Sequence, residues 1–380
     1  MSRGRRAETK KVVLTGGHLT PALSVLKEFV KHKHWQVFFF GRRFASGSDK
    51  SPSLEAQLVP KEGGVFLPLD AGRWETNLAV ASLTRALLLP WGFLQAVFYL
   101  IKIKPQIIIS FGGYLSVPVV FAGWLLGIPA ITHEQTSVVG LGTRINAIFA
   151  KKIAISWPNL SWRFPVEKTV LTGNPILKEL VRKNDARLID LKLDKKKPLV
   201  VVTGGNQGSH IINQTVKKAL VPLLKKYNLV HQAGHPDNND DFTQLNRKKN
   251  RLPLLLKKRY LLKKYFFGQE WGTILNQADL IISRAGANTL TELAILGKPM
   301  LLIPIPWLKN KEQLENAKMF KGFGVASVIK QEDLNAKNLI EETDLMMKNL
   351  AQYKSNGQLL KRKVKKDAAK KIFAEAEKLV

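Results

Sequence analysis

The chain has 380 residues, 45% of them hydrophobic and 23% charged, and it contains no cysteine. That length suits two domains, the composition is globular rather than disordered, and the missing cysteine excludes disulfides, thiolate metal sites and thiol nucleophiles, in keeping with a reducing compartment. Lys+Arg number 60 against 29 Asp+Glu, and the resulting +31 attracts polyanions of every kind, from nucleic acid to anionic lipid, without choosing among them.

The N-terminus is basic but lacks the apolar core of a signal peptide. Lys11–Leu14 reads as a strand broken by Gly16 and Gly17, with Thr20 as N-cap and Pro21 at the first position of a helix. Trp35–Phe40 is a buried strand. Leu87–Ile101 is the most apolar segment; it contains Pro90 and Gln95 and is shorter than the roughly 20 residues of a membrane span. Flanked by Arg85, Lys102 and Lys104, it reads either as a surface-docking helix with Trp91 and Phe93 exposed or as a core helix. Gln106–Ser110, Ala130–Thr132 and Ile153–Ser156 add strands, the first ended by Phe111-Gly112-Gly113-Tyr114 and the second by His133-Glu134-Gln135.

The pattern then restarts. A domain of residues 1–175 ends near Gly173-Asn174-Pro175, a charged junction occupies 176–197, and 198–380 form the second domain, whose terminal helix can pack back on the first. Strands are expected at Pro198–Thr203, Asp279–Ser283 and Pro299–Pro304, with a helix from about Asn288 to Leu296 and a basic helical region from about Gln331. Short apolar runs alternating with amphipathic helices argue an α/β architecture of two doubly wound parallel-sheet (Rossmann-like) domains facing a cleft. Ligands in such sheets bind beyond the carboxyl ends of the strands, where all the Gly-rich loops fall.

Each loop has a plainer reading beside the functional one. Thr15-Gly16-Gly17-His18 suits an anion or sugar at a helix N-terminus, with His18 as a proton acceptor, or it is a tight turn with a surface histidine. Gly204-Gly205-Asn206-Gln207-Gly208-Ser209 lacks a P-loop Lys and keeps no dinucleotide spacing. In Arg284-Ala285-Gly286-Ala287-Asn288-Thr289-Leu290-Thr291-Glu292, the Thr289-to-Glu292 spacing is that of a capping box. Alternatively, the Glu292 carboxylate accepts from the two hydroxyls of a ribose. Gln313 and Asn316 share one helix face and either read sugar hydroxyls or are ordinary amides.

Taken in order, TGGHLTPAL, SFGGYLSVP, LGIPAITHEQ, LTGNPI, GGNQGSHIINQ, SRAGANTLTELAILGKP and NKEQLENA resemble the MurG family. The resemblance implies a GT-B fold, UDP-N-acetylglucosamine as donor and a lipid-linked muramyl-pentapeptide as acceptor. It puts Thr15, Gly16, Gly17 and His18 on the acceptor side near the donor diphosphate, with Tyr114, Glu134, Gln135 and Thr136 lining that side. It assigns Asn206, Gly268, Ala287, Asn288, Thr289, Leu290, Thr291 and Glu292 to the donor, and Gln313 and Asn316 to its sugar. The sequence departs from the family at Val13-Leu14, where a Gly pair is usual, and at Thr136, where Asn is. Leu177 replaces an Arg, with Lys178 beside it, and Asn206 replaces a Ser; a weaker donor hold or an altered substrate is implied.

The expected chemistry is inverting displacement at the anomeric carbon, with His18 as base, Glu134 next in line, and the helix N-terminus after Arg284 stabilising the leaving UDP. No DxD-like pair stands out, so no metal and no other cofactor is expected. The expected place of action is the cytoplasmic face of the cell membrane, as a peripheral protein drawn to its anionic surface. The rivals are a diacylglycerol glycosyltransferase, a UDP-N-acetylglucosamine 2-epimerase and a basic nucleic-acid-binding protein. The last explains the charge but not the loops, and no nucleic-acid partner is expected.

Overall fold

The computed structural model describes residues 9–44, 51–70, 88–177, 193–205, 207–234 and 240–380. Arg85, Leu87, Lys178, Asn206 and most of the expected 176–197 junction lie outside them. The chain divides into two compact units, Met1–Leu177 with Lys365–Val380, and Lys178–Val364.

Among the described residues of the first unit, seven parallel strands stand in the order β3-β2-β1-β4-β5-β6-β7. They are β1 (Lys10–Thr15), β2 (Trp35–Gly41), β3 (Val65–Pro68), β4 (Ile107–Ser110), β5 (Ala130–Glu134), β6 (Lys152–Ile155) and β7 (Thr169–Leu171). Among those of the second, six parallel strands follow the order β10-β9-β8-β11-β12-β13. These are β8 (Leu199–Thr203), β9 (Asn228–Gln232), β10 (Tyr260–Lys263), β11 (Leu280–Ser283), β12 (Met300–Leu302) and β13 (Ala326–Val328).

The central strands are continuous apolar runs because both of their faces are covered. Val12, Leu14, Ile107 and Ile109 face Ala22, Leu26 and Phe29 of the helix Leu19–Val30. Val13 and Ile108, one residue out of step, face Ala96 and Leu100 of the helix Leu88–Ile103 and Val119 of the helix Ser116–Leu125. In the second unit Val200, Val202 and Ile282 pack on Val216, Leu220 and Leu223 of the helix His210–Lys226.

Four strands were invisible in the sequence. In β9 the apolar run is interrupted by buried polar residues: the His231 ring sits between the Tyr260 hydroxyl (2.9 Å) and Asn213 Oδ1 (3.0 Å). β10 lies in a basic stretch, β3 has four residues and β13 three. The first helix starts at Leu19 with His18 as its N-cap residue, so Thr20 and Pro21 lie within the first turn and not at its boundary.

The last helix, Ala368–Glu377, belongs to the first unit. Ala369, Ile372 and Ala376 enter its core, Phe373 meets Phe29 edge to face at 4.8 Å, and Glu377 accepts a hydrogen bond from Trp35 Nε1. Ile372→Ala removes fully buried aliphatic volume and is expected to cost about 2–5 kcal/mol in the unfolding of the first unit. Denaturant unfolding checks this; a cost below about 1 kcal/mol would mean that the helix is not part of the core.

Candidate active site

In each sheet the winding direction reverses at one strand pair, β1 with β4 and β8 with β11. Loops leaving such a pair diverge to opposite faces and open a crevice at the carboxyl edge. Most of the described sequence-predicted residues lie on loops leaving these pairs or the strands beside them, each within its own unit.

At the first, the loops touch backbone to backbone. Gly17 N–H donates to Gly112 O (3.0 Å) and Phe111 N–H to Thr15 O (2.8 Å). Gly16, at φ 139°, lies so close that a Cβ would stand 2.9 Å from Gly112 O. Gly113 is pressed in turn by Gly142, whose Cβ would fall 2.7 Å from Gly113 O. Glycine is required here because no side chain fits between the strands' ends.

His18 is half-buried beside this contact, and desolvation pushes its pKa down to about 4. The imidazole is therefore neutral at pH 7, the state a proton acceptor needs. His133, fully buried at the end of β5, is lowered to about 4, first by burial, against a hydrogen bond with Gly173 O (3.1 Å) that raises it, and further lowered by His18. With Nε2–H donating to Gly173 O, His133 Nδ1 is left a bare acceptor with no hydrogen-bond partner among the described residues. His133 was overlooked in the sequence, where it read only as one residue of a strand end.

Glu134 is placed differently from its expected role as reserve base. Its Oε1 accepts from Thr136 N–H (3.1 Å) and its Oε2 from Gly140 N–H (2.9 Å), so both oxygens shape their own loop. Thr136 belongs to the same brace. Gln135 and Thr15 are buried, with Gln135 Oε1 and Thr15 Oγ1 unpartnered among the described residues, while Tyr114 is half-buried against the apolar layer. Leu177, standing for the family's Arg, packs against the core of the unit.

At the second place, Gly204 lies so close to Ser209 that a Cβ would stand 2.3 Å from its backbone N; Ser209 is the N-cap residue of His210–Lys226, and its buried Oγ has no partner among the described residues. Gly268 has a positive φ of 47° and opens the helix Gly268–Gln277 facing open space. The helix Ala287–Leu296 begins at the end of β11 with Gly286 as N-cap and no side-chain cap. Thr289 is thus inside the first turn and cannot be an N-cap, and the capping-box reading of Glu292 falls. Gly286, Ala287, Asn288 and Thr289 are half-buried at this N-terminus. Leu290 and Thr291 serve the helix itself: Leu290 N–H bonds Gly286 O (3.0 Å) with its side chain in the core, and Thr291 Oγ1 bonds Ala287 O (2.8 Å).

Glu292 is buried and has no hydrogen-bond or ion-pair partner among the described residues, and desolvation pushes its pKa up to about 8. Arg284, which in the sequence only precedes the expected helix, is also buried. It donates from Nη1 to Ile303 O (3.0 Å), leaves Nε unpartnered, pairs with no carboxylate among the described residues, and is lowered to about 10 by burial. Gln313 Oε1 accepts from Ala285 N–H (3.3 Å) and Ile305 N–H (3.1 Å), and Asn316 Nδ2 donates to Ala285 O (3.2 Å). Both amides hold the β11 and β12 loops together, and the Nε2 of Gln313 remains available to a ligand.

The comparisons with known proteins bear on the family and the fold. The N-terminal domain model of glycosyltransferase family 28 matches residues 14–155 and the C-terminal domain model residues 199–372. A Bacillus cereus enzyme named UDP-N-acetylglucosamine–N-acetylmuramyl-(pentapeptide) pyrophosphoryl-undecaprenol N-acetylglucosamine transferase 2 is 33% identical over 370 residues, covering 96% of this chain and 98% of that protein. The chain belongs to the MurG family. A Treponema pallidum enzyme of the same name, without the numeral, is 34% identical over 86% of this chain and 83% of its own length. Acinetobacter baumannii MurG shares the GT-B fold, with a TM-score of 0.73 at 22% identity over 97% of this chain and 99% of that one. The UDP-GlcNAc 2-epimerase of Neisseria meningitidis shares the fold too, with a TM-score of 0.64 at 14% identity over 97% of this chain and 99% of that one. At such identities the likeness is one of architecture, so the family rests on the sequence relatives.

The pKa of Glu292 predicts a pH dependence. Below about 4.5 the acid is protonated folded or unfolded. From there to about 8 only the unfolded chain releases the proton, so the parent loses stability as pH rises. Glu292→Gln removes that loss, and its melting temperature relative to the parent is expected to rise from pH 5 to pH 8. An unchanged difference would place the carboxyl in water.

Proposed function

We propose that the protein transfers N-acetylglucosamine from UDP-N-acetylglucosamine to a lipid-linked muramyl-pentapeptide, with inversion, as a peripheral protein on the cytoplasmic face of the membrane. The observation that carries the transfer is the near-full-length identity to enzymes named for it. The site chemistry fits. The N-terminus of Ala287–Leu296, which has no side-chain cap, and Arg284, which pairs with no carboxylate among the described residues, offer positive potential to a diphosphate, and neither requires a resident metal. Glu292 ionises when ribose hydroxyls supply the donors it lacks. The amide of Gln313 reads the sugar. In the first unit neutral His18 takes the proton of the acceptor hydroxyl, and His133, through its bare Nδ1, orients it.

The membrane reading rests on the helix Leu88–Ile103, which is core and surface at once. Ala96, Leu100 and Ile103 are buried, while Trp91 (58% exposed), Leu94, Phe98 (60%) and Ile101 recur on the opposite face. Trp124 and Leu125 of the neighbouring helix are also exposed. Between Glu75 and Glu134 the sequence has no acidic residue. No helix among the described residues is long and apolar enough to cross a membrane. The expectation that Phe93 is exposed is corrected: its ring packs at 5.5 Å from Phe121, and Phe98 takes its place.

A transfer assay with radiolabelled donor and the lipid-linked acceptor tests this function. The parent is expected to form the disaccharide product, also with a chelator present. His18→Ala is expected to lower kcat about 10²–10⁴-fold with UDP affinity unchanged. Conversion of the donor without acceptor would identify an epimerase, and a fall of less than tenfold would move the base elsewhere.

A further inference from the structure

The second unit carries its own surface of unusual composition. Residues 245–264 contain nine Lys and Arg and no acid. Some of these cations are used internally: Arg259 Nη2 pairs with Asp194 (2.9 Å), Lys263 with Glu270 (2.6 Å), and Lys249 and Lys264 lie over the rings of Tyr260 and Phe242. Arg247, Lys248, Arg251, Lys257 and Lys258 have no ion-pair partner among the described residues.

These five surround the turn between the helix Asp241–Asn250 and the short helix Leu254–Lys257. Leu252 and Leu256 fasten the turn to the core, while Leu254 (70% exposed) and Leu255 (65%) point away from it. A single exposed leucine needs no explanation. Two adjacent ones opening a short helix, flanked in the chain by cations without an ion-pair partner among the described residues, combine the two attractions that hold a protein on an anionic bilayer: apolar insertion and headgroup electrostatics. Nucleic acid fits less well. The aromatic ring nearest the turn, Tyr260, is buried and cannot stack on a base, and the leucines offer nothing to phosphates.

We infer that the turn from Arg247 to Lys258 docks the second unit on an anionic phospholipid surface. This contact lies on a different unit from the apolar face of Leu88–Ile103. It rests on the proposed function only in that a lipid-held acceptor brings the enzyme to a bilayer.

Co-sedimentation of the full chain with phosphatidylcholine vesicles, with and without phosphatidylglycerol, tests the inference. Two variants probe the turn separately: Leu254→Ser with Leu255→Ser, and Arg247→Gln with Lys248→Gln and Arg251→Gln. Near the surface each cation contributes about fivefold, so the charge variant is expected to lose at least about tenfold in affinity for the anionic vesicles and to show a weaker salt dependence. The leucine variant is expected to lose affinity at both low and high salt. Trp91→Ser with Phe98→Ser should keep residual anionic binding that disappears on combination with either turn variant. UDP affinity by calorimetry should match the parent throughout, so failure of the donor reading is seen separately. Unchanged sedimentation of both turn variants would overturn the inference. So would loss of binding to a single-stranded oligonucleotide with vesicle binding intact.

Discussion

The parallel pairing of β1 with β4 and of β8 with β11 is the constraint on which the rest depends. A parallel pair cannot be joined by a hairpin, so each connection crosses over through a helix and every strand delivers its loop at the same edge. At these two pairs the winding reverses, and the loops part to opposite faces. Residues far apart in the chain, such as Gly17 and Gly112, thereby meet at one edge within a unit. The glycines follow from that geometry: Gly16, Gly113 and Gly142 lie where neighbouring backbones leave no room for a Cβ.

The same edges hold polar groups that the fold alone does not satisfy. Among the described residues, Glu292 is buried without a hydrogen-bond partner, Arg284 pairs with no carboxylate, and His133 keeps a bare Nδ1. Burying such groups is unfavourable, by about 1–3 kcal/mol for a neutral one. Their concentration beside the family's motifs is what a site completed by its substrate looks like. The charges are of the right sense for a nucleotide: a cation and helix amides for the diphosphate, an ionisable acceptor for the ribose.

Much of this was legible in the sequence, and the exceptions have physical causes. Continuous apolar runs such as LVVVT and LIIS announce central strands, since only strands covered on both faces read that way. NLVHQ did not, because its His231 and Asn228 are buried by hydrogen bonds rather than by apolarity. The site loops were found through glycines and order, but roles depend on partners that spacing does not show. Thr289 and Glu292 have capping-box spacing, yet the helix begins two residues before Thr289. Glu134 looked available as a base, yet backbone amides of its own loop occupy it. Phe93 and Phe98 are alike in composition, and only the packing of Phe121 decides which one is covered.

The proposed donor site is built around an acid kept uncharged until the nucleotide arrives. Calorimetric titration of UDP at pH 7 in buffers of different ionisation enthalpy counts the protons released on binding. Release approaching one proton is expected for the parent and none for Glu292→Gln, which should also bind more weakly. Normal affinity with no proton released by the parent, or equal release by both proteins, would contradict it.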